Sequence, residues 1–211
     1  MRFLRAFLWP AAWAMLRLSR LVFRIWLRVA RVERIEGLAL IDLARGDPGK
    51  RATAIRDAAR LIRQVQPYRL VQARRYLRRL VVHYTGGSGE YWPGIGACTL
   101  DADYIEGSDA IEIAMLIIHE AMHGRLDRRR IRTTSANVGR IERFCARAEV
   151  DFAQRLPGGQ RHIERVRQSL DRRWWEEDAH HSRQKRRLGQ YRTPAWLIRL
   201  YDRVMKPEAQ P

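Results

Sequence analysis

A chain of 211 residues, with 46% hydrophobic and 30% charged residues, is long enough to bury a core, and its composition excludes an intrinsically disordered protein. Its formal net charge is +18, and nearly all of its positive charge comes from arginine. This charge favours anionic partners, either nucleic acid or a membrane surface; the alternative is that the arginines lie on solvated helix faces without a partner. The two cysteines, Cys98 and Cys145, exclude a disulfide framework and are expected to be buried thiols.

Residues 1–31 are predicted to form an amphipathic N-terminal helix. Its apolar run from Ala6 to Leu16 is too short to span a bilayer. Five arginines then recur at helical spacing, opposite leucine, valine and tryptophan side chains: Arg17, Arg20, Arg24, Arg28 and Arg31. Such a helix binds an anionic membrane surface, which predicts a cytoplasmic, peripheral protein. Two alternatives stay open: this helix packs on the domain, or it is an uncleaved anchor of an extracytoplasmic domain.

Residues 32–78 are predicted to be a helical hairpin segment. Helices are expected roughly over Val32–Ala44 and Arg51–Gln64, and the turn residues of "RGDPGK" separate them. The helical pattern then continues through "QPYRLVQARRYL". The fold class expected from the whole chain is α+β, mostly α-helical.

Residues 79–156 are predicted to form the core, and residues 157–211 to form charged and amphipathic helices. The core elements expected in chain order are a strand over Leu80–Thr85, a glycine-rich loop, a strand over Ala97–Ile105, a helix from Ser108 or Asp109 to Leu126, and a helix over Val138–Leu156. This order predicts a small sheet or hairpin packed on two helices.

The stretch "LIIHEAMHGRL" carries His119, Glu120 and His123 as H-E-x-x-H on the first of these helices. The i, i+4 spacing places both imidazoles on one face, one turn apart, so that both can bind one metal ion. Glu120 is offset from that face and can reach a water molecule beside the ion. This is the arrangement of zinc-assisted hydrolysis, with Glu120 as general base. The alternative is a pair of partly buried histidines that bind acidic side chains.

A catalytic zinc needs a third protein ligand, and the next helix offers Glu142 and Glu149. With 18 residues between His123 and Glu142, the pattern HExxH-x18-E resembles the gluzincin metallopeptidases, with the spacing of the zinc aminopeptidases among them. The resemblance covers roughly residues 80–156. It implies a zincin-like core, one Zn2+ per chain bound by His119, His123 and Glu142, and a peptide or protein substrate. Glu149 is either the alternative ligand or a residue that braces a ligand histidine.

The chain departs from the gluzincin pattern in several respects. It has no "GxMEN"-type exopeptidase loop, so aminopeptidase activity does not follow from the resemblance. Ala146 stands where some gluzincins have an aspartate that braces a histidine, and Arg125 stands where the extended zincin pattern prefers an apolar residue. As a whole, the chain is most similar to minimal bacterial zincin-like proteins.

These patterns predict a zinc-dependent hydrolase, and specifically a metallopeptidase. Tyr104, on the second predicted strand, is a candidate hydrogen-bond donor to the oxyanion, and the substrate is expected to add to the strand over 97–105. No specific nucleic acid is predicted, because no recognisable binding motif accompanies Trp174 and Trp175. The alternative is a non-catalytic, membrane-surface or nucleic-acid-associated helical protein whose zincin-like site is degenerate or structural.

Overall fold

The computed structural model describes residues 25, 29–93, 95–134, 136–172 and 195–196. The chain divides into two units, Met1–Val32 and Glu33–Pro211, and the fold below belongs to the second unit. The membrane-binding helix predicted over residues 1–31 lies largely outside the described residues, as does most of the predicted C-terminal region beyond residue 172. None of the helices within the described ranges is long and apolar enough to cross a membrane.

The described residues form an α+β fold, as predicted, in which six helices accompany one mixed sheet of five strands. The strands are β1 (Glu33–Ile35), β2 (Leu38–Asp42), β3 (Arg79–His83), β4 (Gly89–Trp92) and β5 (Ala97–Asp101). The helices are α1 (Pro48–Val65), α2 (Pro67–Tyr76), α3 (Ala102–Gly107), α4 (Ala110–Arg128), α5 (Val138–Ala153) and α6 (Gln160–Asp171). The sheet order is β1-β2-β3-β5-β4, with parallel pairing among β2, β3 and β5 and antiparallel pairing of β1 and β4 at the two edges.

The helix predicted over Val32–Ala44 is wrong, because this segment forms the β1–β2 hairpin. Its turn places Glu36 and Gly37 at φ values of 47° and 78°, the left-handed conformation that a two-residue hairpin turn requires. The Glu36 carboxylate pairs with Arg63 of α1 at 2.9 Å, and its carbonyl oxygen accepts a hydrogen bond from Arg74 of α2 at 2.5 Å. Residues 32–78 are therefore a β-hairpin followed by two helices, and contacts distant in sequence hold the turn.

The second predicted strand ends earlier than expected. Strand β5 stops at Asp101, whose carboxylate accepts a hydrogen bond from the Tyr104 N–H at 3.1 Å and begins helix α3. Tyr104 therefore lies on a helix rather than on a strand. All five residues of β5 are buried, and β5 lies between β3 and β4. The prediction that a substrate adds to the strand over 97–105 is wrong, because the edge strand on this side is β4.

Helix α4 is the central helix of the fold. It begins at Asp109, as predicted, whose carboxylate accepts hydrogen bonds from the N–H groups of Ile111 at 3.0 Å and Glu112 at 2.9 Å. Ten of its 19 residues are buried, and it contacts α1, α2 and α5 as well as β4 and β5. Helix α5 packs between α4 and α6. The face of α5 that meets α4 supplies the acidic side chains of the site described below.

Arg51 of α1 is fully buried and joins three elements of the fold. Its Nε lies 2.7 Å from Oδ2 of Asp42, the last residue of β2. One terminal nitrogen lies 2.5 Å from Oε1 of Glu106 in α3. A buried charge is tolerated only when it is paired and hydrogen-bonded, so these contacts compensate for the loss of hydration of the guanidinium.

Candidate metal centre

The imidazoles of His119 and His123 converge with the carboxylate of Glu142. The two histidines lie one turn apart on α4, and their Nε2 atoms are 3.1 Å apart. Glu142 projects from α5, with Oε2 3.2 Å from Nε2 of His119 and Oε1 3.5 Å from Nε2 of His123. Of the two carboxylates that the sequence left open, Glu142 is therefore the one that faces both histidines.

The spacing of these three groups fits a single tetrahedral ion. Donors bonded to one zinc ion at about 2.0–2.1 Å and at tetrahedral angles lie about 3.3–3.4 Å apart. In the centre the two nitrogens lie 3.1 Å apart, and the nitrogen–oxygen distances of 3.2 and 3.5 Å end at the two different oxygens of the Glu142 carboxylate. In addition, Oε2 of Glu142 and Oε2 of Glu120 are buried and have no hydrogen-bond partner among the described residues. Buried polar atoms are normally satisfied, and a cation held by these side chains would supply the missing partner.

Glu149 lies on the other edge of the His119 ring. Its Oε1 is 2.5 Å from Nδ1 of His119, so the Nδ1–H donates to this carboxylate. In a neutral ring with this proton on Nδ1, the lone pair of Nε2 would point toward His123 and Glu142, and this is the tautomer that metal ligation requires. This contact corresponds to the bracing position that the sequence offered as one of two roles for Glu149.

The electrostatics of the centre favour a tightly paired set of charges. Burial alone would lower the pKa of His119, but the charge and hydrogen bond of Glu149 and the ion pair with Glu142 raise it well above its usual value. Burial would also lower the pKa of His123, but its contacts with Cys145 and Glu142 raise it to about 10. Burial would raise the pKa of Glu142, and its ion pairs with both histidines instead lower it to about 2. A bound cation would replace the protons that hold these groups together.

Glu120 lies beside the histidines without sharing their contact with Glu142. It is 4% exposed, and burial raises the pKa of its carboxyl although the neighbouring His119 and His123 oppose this change. A carboxylate with a raised pKa accepts protons more readily near neutral pH. The raised pKa is compatible with the general-base role that the sequence predicts for Glu120.

A cavity of about 350 Å3 opens on the centre, and His119, Glu120, Glu142 and Glu149 form part of its wall. The loop over 87–89 forms another part of the wall. Its remaining apolar wall comes from α4 and α6 and includes Met115, Leu116, Val166 and Leu170. Small-molecule and peptide side-chain sites have volumes of this order, from about 300 Å3 upward. The general-base candidate Glu120 and three of the four ligand candidates, His119, Glu142 and Glu149, therefore share one accessible cleft.

Tyr104 also lines this cavity, although from α3 rather than from a strand. Burial raises the pKa of its hydroxyl, so the group stays protonated and able to donate a hydrogen bond. Tyr91, on the edge strand β4, instead donates its hydroxyl to Asp127 at 3.0 Å. Of the two tyrosines, Tyr104 alone faces the cleft.

Two features of this region were not singled out from the sequence. The first is Cys145, whose Sγ lies within 4.8 Å of an imidazole nitrogen of each histidine. The second is a cluster at the start of α4, where His162 lies 3.5 Å from Asp109 and 3.7 Å from Glu112. Both of these carboxylates are paired with arginines of α6, and the cluster anchors that helix on α4.

No protein-family model matches the chain, and no curated protein or solved structure matches it at a significant level.

Proposed function

We propose that the protein is a zinc-dependent hydrolase of the gluzincin type, and specifically a metallopeptidase. The observation that carries this proposal is the near-tetrahedral spacing of the His119, His123 and Glu142 donors beside the buried carboxylate of Glu120. In this proposal, the α4–α5 pair with its adjoining sheet is a zincin-like core, and one Zn2+ is bound per chain.

Each residue of the centre has a separate task in the proposed reaction. His119, His123 and Glu142 hold the ion, and Glu149 keeps the His119 ring in the ligating tautomer. Zinc in such a donor set supplies a Lewis acid that lowers the pKa of water and polarises a carbonyl group. Glu120 accepts a proton from the attacking water and passes it to the leaving amine. The Tyr104 hydroxyl donates a hydrogen bond to the oxygen that becomes negatively charged as the carbonyl is attacked.

The proposed substrate is an extended peptide that lies along β4. Because β4 is the edge strand, its outer side offers backbone groups to which a peptide can add as a further strand. Ser88 and Gly89, where β4 begins, lie in the wall of the cavity, so this edge leads directly to the centre. A peptide side chain would then enter the apolar part of the cleft.

Metal analysis of the purified full chain tests the proposed centre. We expect about one zinc per chain, lost in His123→Asn and retained in His83→Asn, which removes a buried histidine of β3. Glu120→Gln should keep the zinc and lower peptide-bond cleavage by about 100-fold or more, measured by mass spectrometry on a mixed peptide library. Absence of zinc from the wild type would favour the non-catalytic alternative, and undiminished cleavage by Glu120→Gln would exclude its role as base.

Binding to an anionic membrane surface remains a prediction from the sequence of residues 1–31. Co-sedimentation with vesicles containing anionic lipid, compared with neutral vesicles, tests it. We expect binding that weakens as the salt concentration rises, because arginine–phosphate attraction is screened. Equal sedimentation with both kinds of vesicle would contradict the prediction.

A further inference from the structure

Cys145 reaches the candidate metal centre from the interior of the protein. It is fully buried in α5, three residues after Glu142, so both side chains project from the same face of that helix toward α4. Its Sγ and one nitrogen from each of His119 and His123 lie within 4.8 Å of one another. The thiol also forms a hydrogen bond with His123.

An unsatisfied acceptor in the same place points independently to a ligand. Oε2 of Glu142 is buried and has no hydrogen-bond partner among the described residues, although it lies 3.2 Å from Nε2 of His119. The thiol therefore lies near the two imidazoles, the Glu142 carboxylate contacts the same two rings, and its Oε2 forms no hydrogen bond of normal geometry with a described residue. Burying these polar groups together costs free energy unless a cation compensates the loss of their hydration.

We propose that Cys145 donates a thiolate sulfur to the ion held by His119 and His123. This inference rests on the proposed metal centre and adds a sulfur donor to its nitrogen and oxygen donors. A sulfur and a nitrogen bound to the same zinc ion lie about 3.6 Å apart. Sγ lies within 4.8 Å of both nitrogens, so it needs to move at most about 1 Å closer to reach this spacing.

The bond forms without a change of oxidation state. A divalent ion would displace the thiol proton, which would pass to the solvent, and the sulfur lone pair would form the metal–sulfur bond. Together with Glu142, Cys145 would bring the number of protein donors to four, the number found in structural zinc sites. The hydrolysis proposed above would then require one of these donors to leave. The sulfur also favours zinc or cobalt over magnesium and manganese, which prefer oxygen donors.

Zinc X-ray absorption spectroscopy on the full chain tests the proposal directly. We expect one sulfur neighbour at about 2.3 Å in addition to nitrogen and oxygen neighbours. Cys145→Ser should lose this sulfur signal, whereas Cys98→Ser, which changes the other buried free thiol, should keep it. Cobalt substitution gives a second readout, because a thiolate–cobalt charge-transfer band should be present in the wild type and absent in Cys145→Ser.

The possible results separate this inference from the proposed hydrolase. Stoichiometric zinc with only nitrogen and oxygen neighbours would overturn the sulfur proposal and leave the hydrolase proposal standing. Absence of zinc from the wild type would overturn both. Because the wild-type spectrum alone identifies the sulfur neighbour, the test does not depend on whether Cys145→Ser folds.

Discussion

The Glu149 carboxylate lies 2.5 Å from Nδ1 of His119, on the ring edge opposite the nitrogen that faces Glu142. Glu149→Gln keeps a hydrogen-bond acceptor there but removes the charge that favours the ligating tautomer. Losing such a partner of a ligand histidine typically costs about 10–100-fold in metal affinity, and we expect a loss in this range. Competition with a chromophoric chelator measures it, with the exposed Glu164→Gln as control. Equal zinc affinities in the two variants would contradict the bracing role.

The buried Arg51 should be essential for stability because it neutralises Asp42, whose side chain is only 9% exposed. Arg51→Met leaves this carboxylate unpaired and should lower the free energy of unfolding by about 3–5 kcal/mol in denaturant titrations. Arg60→Met is the control, because that side chain is 52% exposed and its ion pairs are 3.7 and 3.9 Å long. We expect a loss below about 1 kcal/mol for the control. Similar losses in both variants would show that the buried pair has no special role.

Gly89 of β4 should not tolerate a side chain. A Cβ atom there would lie 2.7 Å from the carbonyl oxygen of Thr99 and 3.3 Å from Leu116. Gly89→Ala should therefore lower the unfolding free energy by about 1–3 kcal/mol, since overpacking of this size displaces the backbone. Gly107→Ala is the matched control, because a Cβ atom at that position would meet no other atom within 4 Å. The control should be neutral or stabilising by up to about 1 kcal/mol, and an equal loss in both would refute the packing argument.

The Tyr91 hydroxyl should lose its proton at a higher pH than an ordinary tyrosine. Burial and the hydrogen bond to Asp127 raise its pKa from 10.0 to about 12. The raised folded-state value means that Tyr91 contributes stability that is fully present below about pH 10 and is lost as the pH rises through about 12. Tyrosinate absorbance against pH measures the titration. Tyr91→Phe should remove the absorbance change centred near the pH of the Tyr91 pKa. Asp127→Asn should move that absorbance change to lower pH. An unchanged curve in Asp127→Asn would contradict the assignment.

Residue spacing paired the two histidines, but it left both Glu142 and Glu149 open as the third group, and only the gluzincin resemblance favoured Glu142. Residues four apart on one helix share a face whatever the surrounding fold, so His119 and His123 could be paired from spacing alone. Glu142 and Glu149 lie seven residues apart and share a face of α5. Which of the two carboxylates contacts Nε2 of His119 depends on the axial position of α5 relative to α4. Packing between the helices determines that position.

The errors in the fold have physical causes of the same kind. The β1–β2 hairpin turns at Glu36-Gly37, and its left-handed glutamate is held by arginines from α1 and α2 that lie far away in sequence. The apolar alternation of β5 continues past Asp101 into Ala102 and Tyr104, so periodicity alone overlooks the carboxylate that caps α3. In the first case contacts distant in sequence determine the structure, and in the second a single capping residue does, so the local hydrophobic pattern alone misassigned both segments.

Helix α4 carries the candidate chemistry on the same 19 residues that fill the centre of the fold. Substitutions across this helix should therefore abolish function by two separate routes, loss of packing and loss of reactive groups. In a mutational scan of activity, substitutions along the whole of α4 would lower activity. Such a scan would not distinguish the residues that react from those that pack. A parallel scan of protein abundance would separate them, because near-isosteric changes at reactive positions should spare abundance while changes at packing positions should not.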